Sequence, residues 1–427
     1  MQVSLVYGQG TLEVSLPAGA EIVEPRYVPG VPDEVGAVRA ALRAPIGSAP
    51  LADLVRAGDR VVVVHSDLTR PMPNDRVLPV LLAELEAAGV RPQDITLLNG
   101  LGTHRKQTAD ELTAMLGPEL VARYRCEQHD GWDEANLIAI GQTRAGHSMR
   151  INRTYLEADV KVLTGFIEPH LFAGFSGGPK AVLPSVASID SVMANHGTRM
   201  VGHPKATWGV CAGNPIWEEM LEVALQTEPT FLLNVTLNRD RQITGVFAGE
   251  LEAAHAAGRA FCAAAAFCPV PHLVDVVITT NAGYPLDMNL YQSVKGMSAA
   301  ARVVKPGGAI ILVAECREGI PEHGEYARLL RSAESPQALL ERIEAPGFAC
   351  HDQWQVQVQA LVQRRADVHL YSAGLSGQQT REAMLIPCHD VADTLAGLLE
   401  RYGAEARVCV LPDGPQTIPT WEPAPTP

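Results

Sequence analysis

Short runs of β-branched and aliphatic residues recur along this chain. Most of them end abruptly in polar residues or glycine before a helical pattern begins. Residues 61–64 read VVVV, and residues 95–99, 160–164 and 231–237 behave alike. Continuous apolar runs of this kind belong to strands buried on both faces of a parallel sheet. Helical stretches at 75–89 and 107–116 separate the first of them. Alternation of strand and helix specifies a doubly wound, Rossmann-like α/β fold. A second series follows: strands at 274–279, 309–313, 368–371 and 408–411, with helices at 289–302, 326–331, 336–343, 354–364 and 391–402. A chain of 427 residues is too long for one ordinary core. The pattern therefore predicts two Rossmann-like α/β domains with the active site in the cleft between them. Residues 1–265 form the first domain, opened by a β-hairpin over 1–17 that turns at Gly8-Gln9-Gly10. Residues 266–288 are a connector, 289–411 the second domain, and 412–427 a proline-rich strap or disordered tail.

Composition narrows the classes. Hydrophobic residues make up 47% and charged residues 19%, as in globular proteins. A net charge of −14 argues against nucleic acid as a partner. The eight cysteines are scattered without a C-x-x-C pair, which reads as reduced thiols and gives little support to a thiolate metal site. Neither a signal peptide nor a membrane-spanning run is recognisable, so a cytoplasmic location is expected.

Ligands of open α/β sheets bind beyond the carboxyl ends of the strands. Chemistry-bearing residues concentrate there in four segments. After 61–64 comes His65-Ser66-Asp67-Leu68-Thr69-Arg70-Pro71. Arg70 offers a planar fork for a carboxylate or phosphate; the plainer reading is a turn, with Asp67 capping the next helix and Arg70 in a surface ion pair. After 95–98 comes Asn99-Gly100-Leu101-Gly102-Thr103-His104-Arg105. His104, near a helix start, suits acid–base work near neutrality, or is a hydrogen-bonded loop histidine. After 160–164 the chain reads GFIEPHLFAGFSGGPK over 165–180. Here His170 sits beside aromatic residues, Ser176-Gly177-Gly178 is compact enough to cradle an anion with backbone N–H groups, and Lys180 follows as a charge partner or nucleophile. The spacing is not G-x-x-x-x-G-K-[ST], and the alternative is a flexible loop with a surface lysine. The fourth segment, Met193-Ala194-Asn195-His196-Gly197, ends a short helix. His196 there is a candidate metal ligand, although a helix C-terminus also favours imidazolium. In the second half, Gln292 and Lys295 share one helix face with Tyr291 nearby, either a carboxylate-binding set or a solvated face. Trp354 reads as a core or interface aromatic.

Taken together, SDLTRP at 66–71, GTHR at 102–105, EPHLFAGFSGGPK at 168–180, ANH at 194–196 and YQSVKG at 291–296 resemble the nickel-dependent lactate racemase family. The resemblance spans nearly the whole chain, and 168–180 is its most specific part. It implies a nickel-pincer nucleotide, pyridinium-3,5-bisthiocarboxylic acid mononucleotide, bonded covalently to Lys180 with His196 as a nickel ligand. It implies His104 and His170 as acid–base catalysts, and Arg70, Tyr291, Gln292, Lys295 and Trp354 as substrate-binding groups. Asp67, Thr69, Ser176, Gly177 and Gly178 are expected to line the cofactor. The implied reaction inverts C2 of a 2-hydroxy acid by moving hydride to the cofactor and back, which avoids a carbanion beside an ionised carboxylate. Enzymes that build the cofactor are implied as transient partners. One departure stands out: Pro184-Ser185 replaces an expected Pro-Gly, placing a side chain in the loop after Lys180.

Two other classes share some of these features. One is an NAD-dependent 2-hydroxy acid dehydrogenase, although no strand here leads into G-x-G-x-x-G. The other is a non-catalytic relative that binds an organic acid or the cofactor.

Overall fold

The structure, a computed structural model, describes residues 1–322 and 324–421. The chain divides into two compact α/β units. The first comprises Tyr27–His196 and Lys205–Ala264. Its six-stranded sheet runs in the order Ile243–Gly249, Phe231–Leu237, Val160–Phe166, Val61–Ser66, Ile95–Gly100, Arg125–Gln128. All neighbours are parallel except the Ile243–Gly249 edge strand, which runs antiparallel to Phe231–Leu237.

Alternation along these strands decides what reaches each face. Val61, Val63, Ile95 and Leu97 pack with Val77, Leu78, Leu81 and Leu85 of helix Asn74–Ala87 in one core. Each such side chain stabilises the fold by about 1.5–3 kcal/mol when fully buried. The same alternation carries His65 onto that face. It is buried, and burial pushes its imidazole down to about 4. Beyond Ser66, Gly100 and Phe166 the three central strands stop at one sheet edge, and their loops hold the first three candidate segments.

The second unit comprises Met1–Arg26, Gly197–Pro204 and the chain from Ala265 on. Its six-stranded sheet is all parallel, in the order Ile386–Cys388, Ala366–Tyr371, Val304–Val313, Val274–Thr280, Val408–Leu411, Glu21–Ile22. The expected boundaries need correction at three places. The hairpin Gln2–Tyr7 and Gly10–Ser15 forms as expected but belongs to this unit. Val3, Leu5, Val14 and Leu16 bury against Val276, Ile278, Ile311 and Val410, and Gly8 N–H donates to Asp287 at 2.7 Å. Residues 266–288 are not a connector, because they contain a central strand of the sheet. Residues 412–421 are not a loose strap: Ile418–Thr420 pairs in parallel with Phe267–Pro269, and Ile418 is buried. The remainder of the proline-rich tail, 422–427, lies outside the described residues. Among the described residues, no helix is long and apolar enough to cross a membrane.

Candidate active site

The loop after Val61–Ser66 buries Asp67 to 3% exposure. One of its oxygens accepts from Thr69 Oγ1 at 2.8 Å, and the other faces His104 Nδ1 at 2.6 Å. Burial alone would raise this carboxyl. The His104 partner, the Arg70 guanidinium and the Thr69 hydroxyl outweigh it and hold Asp67 below the usual carboxylate range. An ionised carboxylate only accepts hydrogen bonds. His104 therefore donates from Nδ1, and its lone pair is left on Nε2. The capping reading of Asp67 is thus revised: helix Asn74–Ala87 has no side-chain cap from it, and its oxygens serve Thr69 and His104.

His104 lies in a turn closed by its own N–H to Leu101 O at 2.9 Å. The helix that follows starts only at Ala109, capped by Thr108 and Glu111, so His104 is not at a helix start. Its side chain is 38% exposed.

The segment after Val160–Phe166 is almost wholly buried. Pro169–His170 and Gly174–Phe175 form a minimal antiparallel pair. Within it Ala173 N–H donates to His170 Nδ1 at 3.2 Å. That bond needs an unprotonated Nδ1, which puts the proton of a neutral imidazole on Nε2. Protonating Nδ1 would set two buried donors against each other, at a cost of about 1–3 kcal/mol.

Two of the backbone donors of the anion cradle expected at Ser176–Gly178 are already committed within the protein. Ser176 N–H donates to Glu168 O at 2.9 Å and Gly178 N–H to Asn234 Oδ1 at 2.8 Å. Packing, rather than ligand access, explains the glycine at 178. It has φ +52°, and a Cβ there would stand 2.5 Å from the His255 ring. His255, whose Nε2 bonds Ser176 O at 3.0 Å, is buried and pushed down to about 3.

Lys180 follows in a short 3₁₀ turn, Gly178–Ala181, and is only 9% exposed, so it is no surface lysine. Its carbonyl accepts from Ser185 Oγ at 2.6 Å, and Ser185 O accepts from Gly102 N–H at 2.9 Å. The serine that departs from the family pattern thus tightens the loop. It also links the lysine segment to the His104 loop.

His196 caps the C-terminus of helix Ile189–Asn195. Burial, reinforced by the Lys180 charge, pushes its imidazole down to about 3. The helix dipole favours imidazolium by at most about 2 kcal/mol at such a site, against several for burial. Burial wins, and the ring is neutral with a lone pair to offer. Phe172 stacks edge-on to both His170 and His196, at ring separations of 4.7 and 5.1 Å. Asn195 donates to Glu219 at 2.9 Å, a buried carboxylate that also accepts from Thr143 and His147.

These contacts tie Asp67, His104, Lys180, His170 and His196 into one neighbourhood of the first unit. Its supports, Asn234, His255 and Glu219, went unnoticed in the sequence. They sit on elements whose periodicity marks only core, and nothing in their spacing signals a partner. Among the described residues, no three His, Cys, Asp or Glu side chains gather to hold a metal ion. A metal centred on His196 would therefore draw its other donors from a bound organic group. A buried lysine beside a neutral histidine fits such a group.

In the second unit, Trp354 Nε1–H donates to Tyr291 Oη at 3.1 Å. Tyr291, Gln292 and Lys295 form a half-buried stripe on helix Leu290–Ala300. Trp354 is buried. The structure thus joins Tyr291 to Trp354, and Gln292 and Lys295 share the helix of Tyr291.

Comparison with known proteins gives the family. Residues 7–209 match the model of the lactate racemase N-terminal domain, and residues 271–418 that of the C-terminal domain. The chain is 36% identical to a lactate racemase of Thermoanaerobacterium thermosaccharolyticum over 89% of either chain. It is 37% identical to one of Lactiplantibacillus plantarum over 88% of this chain and 89% of that one. The structure of the Thermoanaerobacterium lactate racemase apoprotein superposes with a TM-score of 0.91 at 34% identity, covering 98% of this chain and all of the other. A Thermotoga maritima protein at 19% identity shares the fold, with a TM-score of 0.70 over 93% of this chain. The chain belongs to the lactate racemase family.

Proposed function

We propose that this protein racemises a lactate-like 2-hydroxy acid, in the cytoplasm, with a nickel-pincer nucleotide bonded to Lys180. The observation that carries the reading is the shared buried neighbourhood of Lys180 and His196, linked through Phe172 to His170 and through Ser185 to the His104 loop. Lys180 would hold the group covalently, and His196, neutral in its burial, would be its protein ligand to nickel. When bound, the group supplies reversible hydride acceptance.

This chain's own residues do the rest. Arg70 binds the substrate carboxylate through its planar guanidinium. Tyr291, Gln292, Lys295 and Trp354 are the substrate-binding candidates of the second unit. Holding the acid in place converts the chemistry to a unimolecular step, which supplies much of the rate. His104 and His170 attend the carbinol oxygen. The O–H proton must leave as the carbinol carbon is oxidised and must return as it is reduced, so a nitrogen lone pair at that oxygen is required.

The test is a chiral assay with each enantiomer of lactate, on protein produced alongside the enzymes that make the cofactor. The reading expects both enantiomers to converge on an equal mixture, without consumption of NAD. One-way oxidation coupled to NADH, or binding without turnover, would contradict it.

A further inference from the structure

We infer that Asp287 and the hairpin turn at Gly8 are positioning elements of the second unit's substrate-binding stripe: they fix where helix Leu290–Ala300 starts, and through it Tyr291, Gln292 and Lys295. The inference rests on the racemase reading above and deepens it.

Open α/β sheets leave a crevice at the carboxyl ends of their strands, and ligands commonly fill it. In the second unit the chain's own amino-terminal hairpin enters that place. Strands Val274–Thr280, Val304–Val313 and Ala366–Tyr371 lie side by side, and the hairpin turn meets the loop after each. At the first loop, Gly8 N–H donates to Asp287 at 2.7 Å, and Gly8 O accepts from Tyr284 N–H at 2.8 Å. At the second, a Cβ on Gly8 would stand 2.7 Å from the Glu315 carboxylate, and the backbone has φ +54°, which favours glycine. At the third, Tyr7 Oη accepts from Ala373 N–H at 2.8 Å.

Asp287 is wholly buried and joins the first two loops. The oxygen that accepts from Gly8 also accepts from Glu315 N–H at 3.2 Å. Its own carbonyl accepts from Cys316 N–H at 2.8 Å. The helix begins just beyond it. Met288 O accepts from Glu318 N–H at 2.9 Å, and Leu290 N–H donates to Gly319 O at 3.0 Å. Asn289 caps the helix, its side chain accepting from Gln292 N–H at 3.1 Å. Tyr291 and Gln292 follow in the first turn. The hairpin does not depend on Asp287 to stay attached, because Val3, Leu5, Val14 and Leu16 already bury against the sheet. That attraction is non-directional. Hydrogen bonds to one buried oxygen are directional. What they add is register: the turn, the loop at 315–319 and the helix start are fixed to one another.

Two measurements test this. The first is hydrogen exchange on the apoprotein. Asp287→Ala strips the acceptor from both N–H groups and should quicken exchange across 288–296 by at least about tenfold, while strands 276–280 and 309–313 keep their protection. Asp287→Asn keeps an oxygen that can accept the same two bonds and should stay close to wild type. Gly8→Ala, which lifts the turn away from Glu315 and Asp287 without touching the helix, should reproduce the pattern more weakly. Quickening confined to 2–15 in Asp287→Ala and Gly8→Ala would overturn the inference, because Asp287 would then only pin the hairpin.

The second measurement is KM and kcat for each lactate enantiomer with cofactor-loaded enzyme. Tyr291, Gln292 and Lys295 enter the reading as binding groups, so displacing them removes binding made equally in ground and transition states. Asp287→Ala should therefore raise KM at least about tenfold with kcat within about threefold, and Asp287→Asn should restore KM to within about threefold of wild type. An unchanged KM in Asp287→Ala, or an Asn variant no better than Ala, would refute the assignment. Failure of the loaded wild type to racemise any 2-hydroxy acid would remove the racemase reading instead, and the exchange pattern would still decide whether the turn positions the helix.

Discussion

The loops after Val160–Phe166 and Ile95–Gly100 leave the same edge of one sheet, yet they are built in opposite ways. The first, through Ser185, is nearly all buried, and its polar groups are spent on one another or on Asn234 and His255. The second exposes His104, Arg105 and Lys106 and is tethered at Gly102 and through the Asp67–His104 pair. The difference teaches how one sheet edge handles two kinds of chemistry. Burial keeps His196 neutral and seats Lys180 rigidly, which suits holding a group. Partial exposure leaves the His104 ring within reach of solvent while Nδ1 stays paired with Asp67.

The contrast is sharpest at two glycines with nearly equal dihedrals. Gly178 has φ +52° and Gly102 φ +56°. A Cβ at 178 meets the buried His255 ring at 2.5 Å, whereas one at 102 comes no closer than 3.5 Å to Pro184 O. Gly178→Ala should therefore cost about 3–4 kcal/mol, from backbone strain plus overpacking, and Gly102→Ala about 1 kcal/mol from strain alone. Urea unfolding of both variants measures this. Equal losses would erase the distinction between the two loops.

A comparable effect follows from pH. His255 is pushed down from an ordinary 6.5 to about 3, so the unfolded chain takes up its proton first. The stability it contributes is fully present above pH 6.5 and is lost as pH falls toward 3. Between those limits it changes by about 1.4 kcal/mol per pH unit for one proton. His255→Asn should flatten the fall of stability with acid by up to that slope, read from unfolding curves across the range. An unchanged slope would mean that the ring is not held neutral.

The smallest effect is expected at Ser185, whose hydroxyl bonds the Lys180 carbonyl at 2.6 Å. Ser185→Ala should cost about 1 kcal/mol, and hydrogen exchange should quicken around 178–186 before it changes elsewhere. Exchange quickening first near 101–104 would instead assign Ser185 to the exposed loop.

Much of this was legible in the sequence because β-branched runs and amphipathic helices report directly on burial. Helices Pro336–Ile343 and Val391–Tyr402 and strand Val408–Leu411 match their expected bounds. The candidate site residues of the first unit mostly stood just past the ends of strands. What stayed hidden was long-range pairing. The hairpin at residues 1–17 reads the same whichever sheet it packs on, and only Val3 and Leu5 against Val276 and Ile278 settle it. The glycines at 177–178 suggested an anion cradle, because a sequence cannot show that Asn234 already occupies a donor and that His255 fills the space. Asp67 likewise looked like a helix cap until His104, distant in sequence, appeared beside it.

The most direct measurement of the central claim is intact mass together with nickel content, on protein made alongside the cofactor-building enzymes. The account predicts a mass adduct and nickel in the wild type, no adduct in Lys180→Ala, and an adduct with little nickel in His196→Ala. An adduct of the same mass that survives in Lys180→Ala would contradict it.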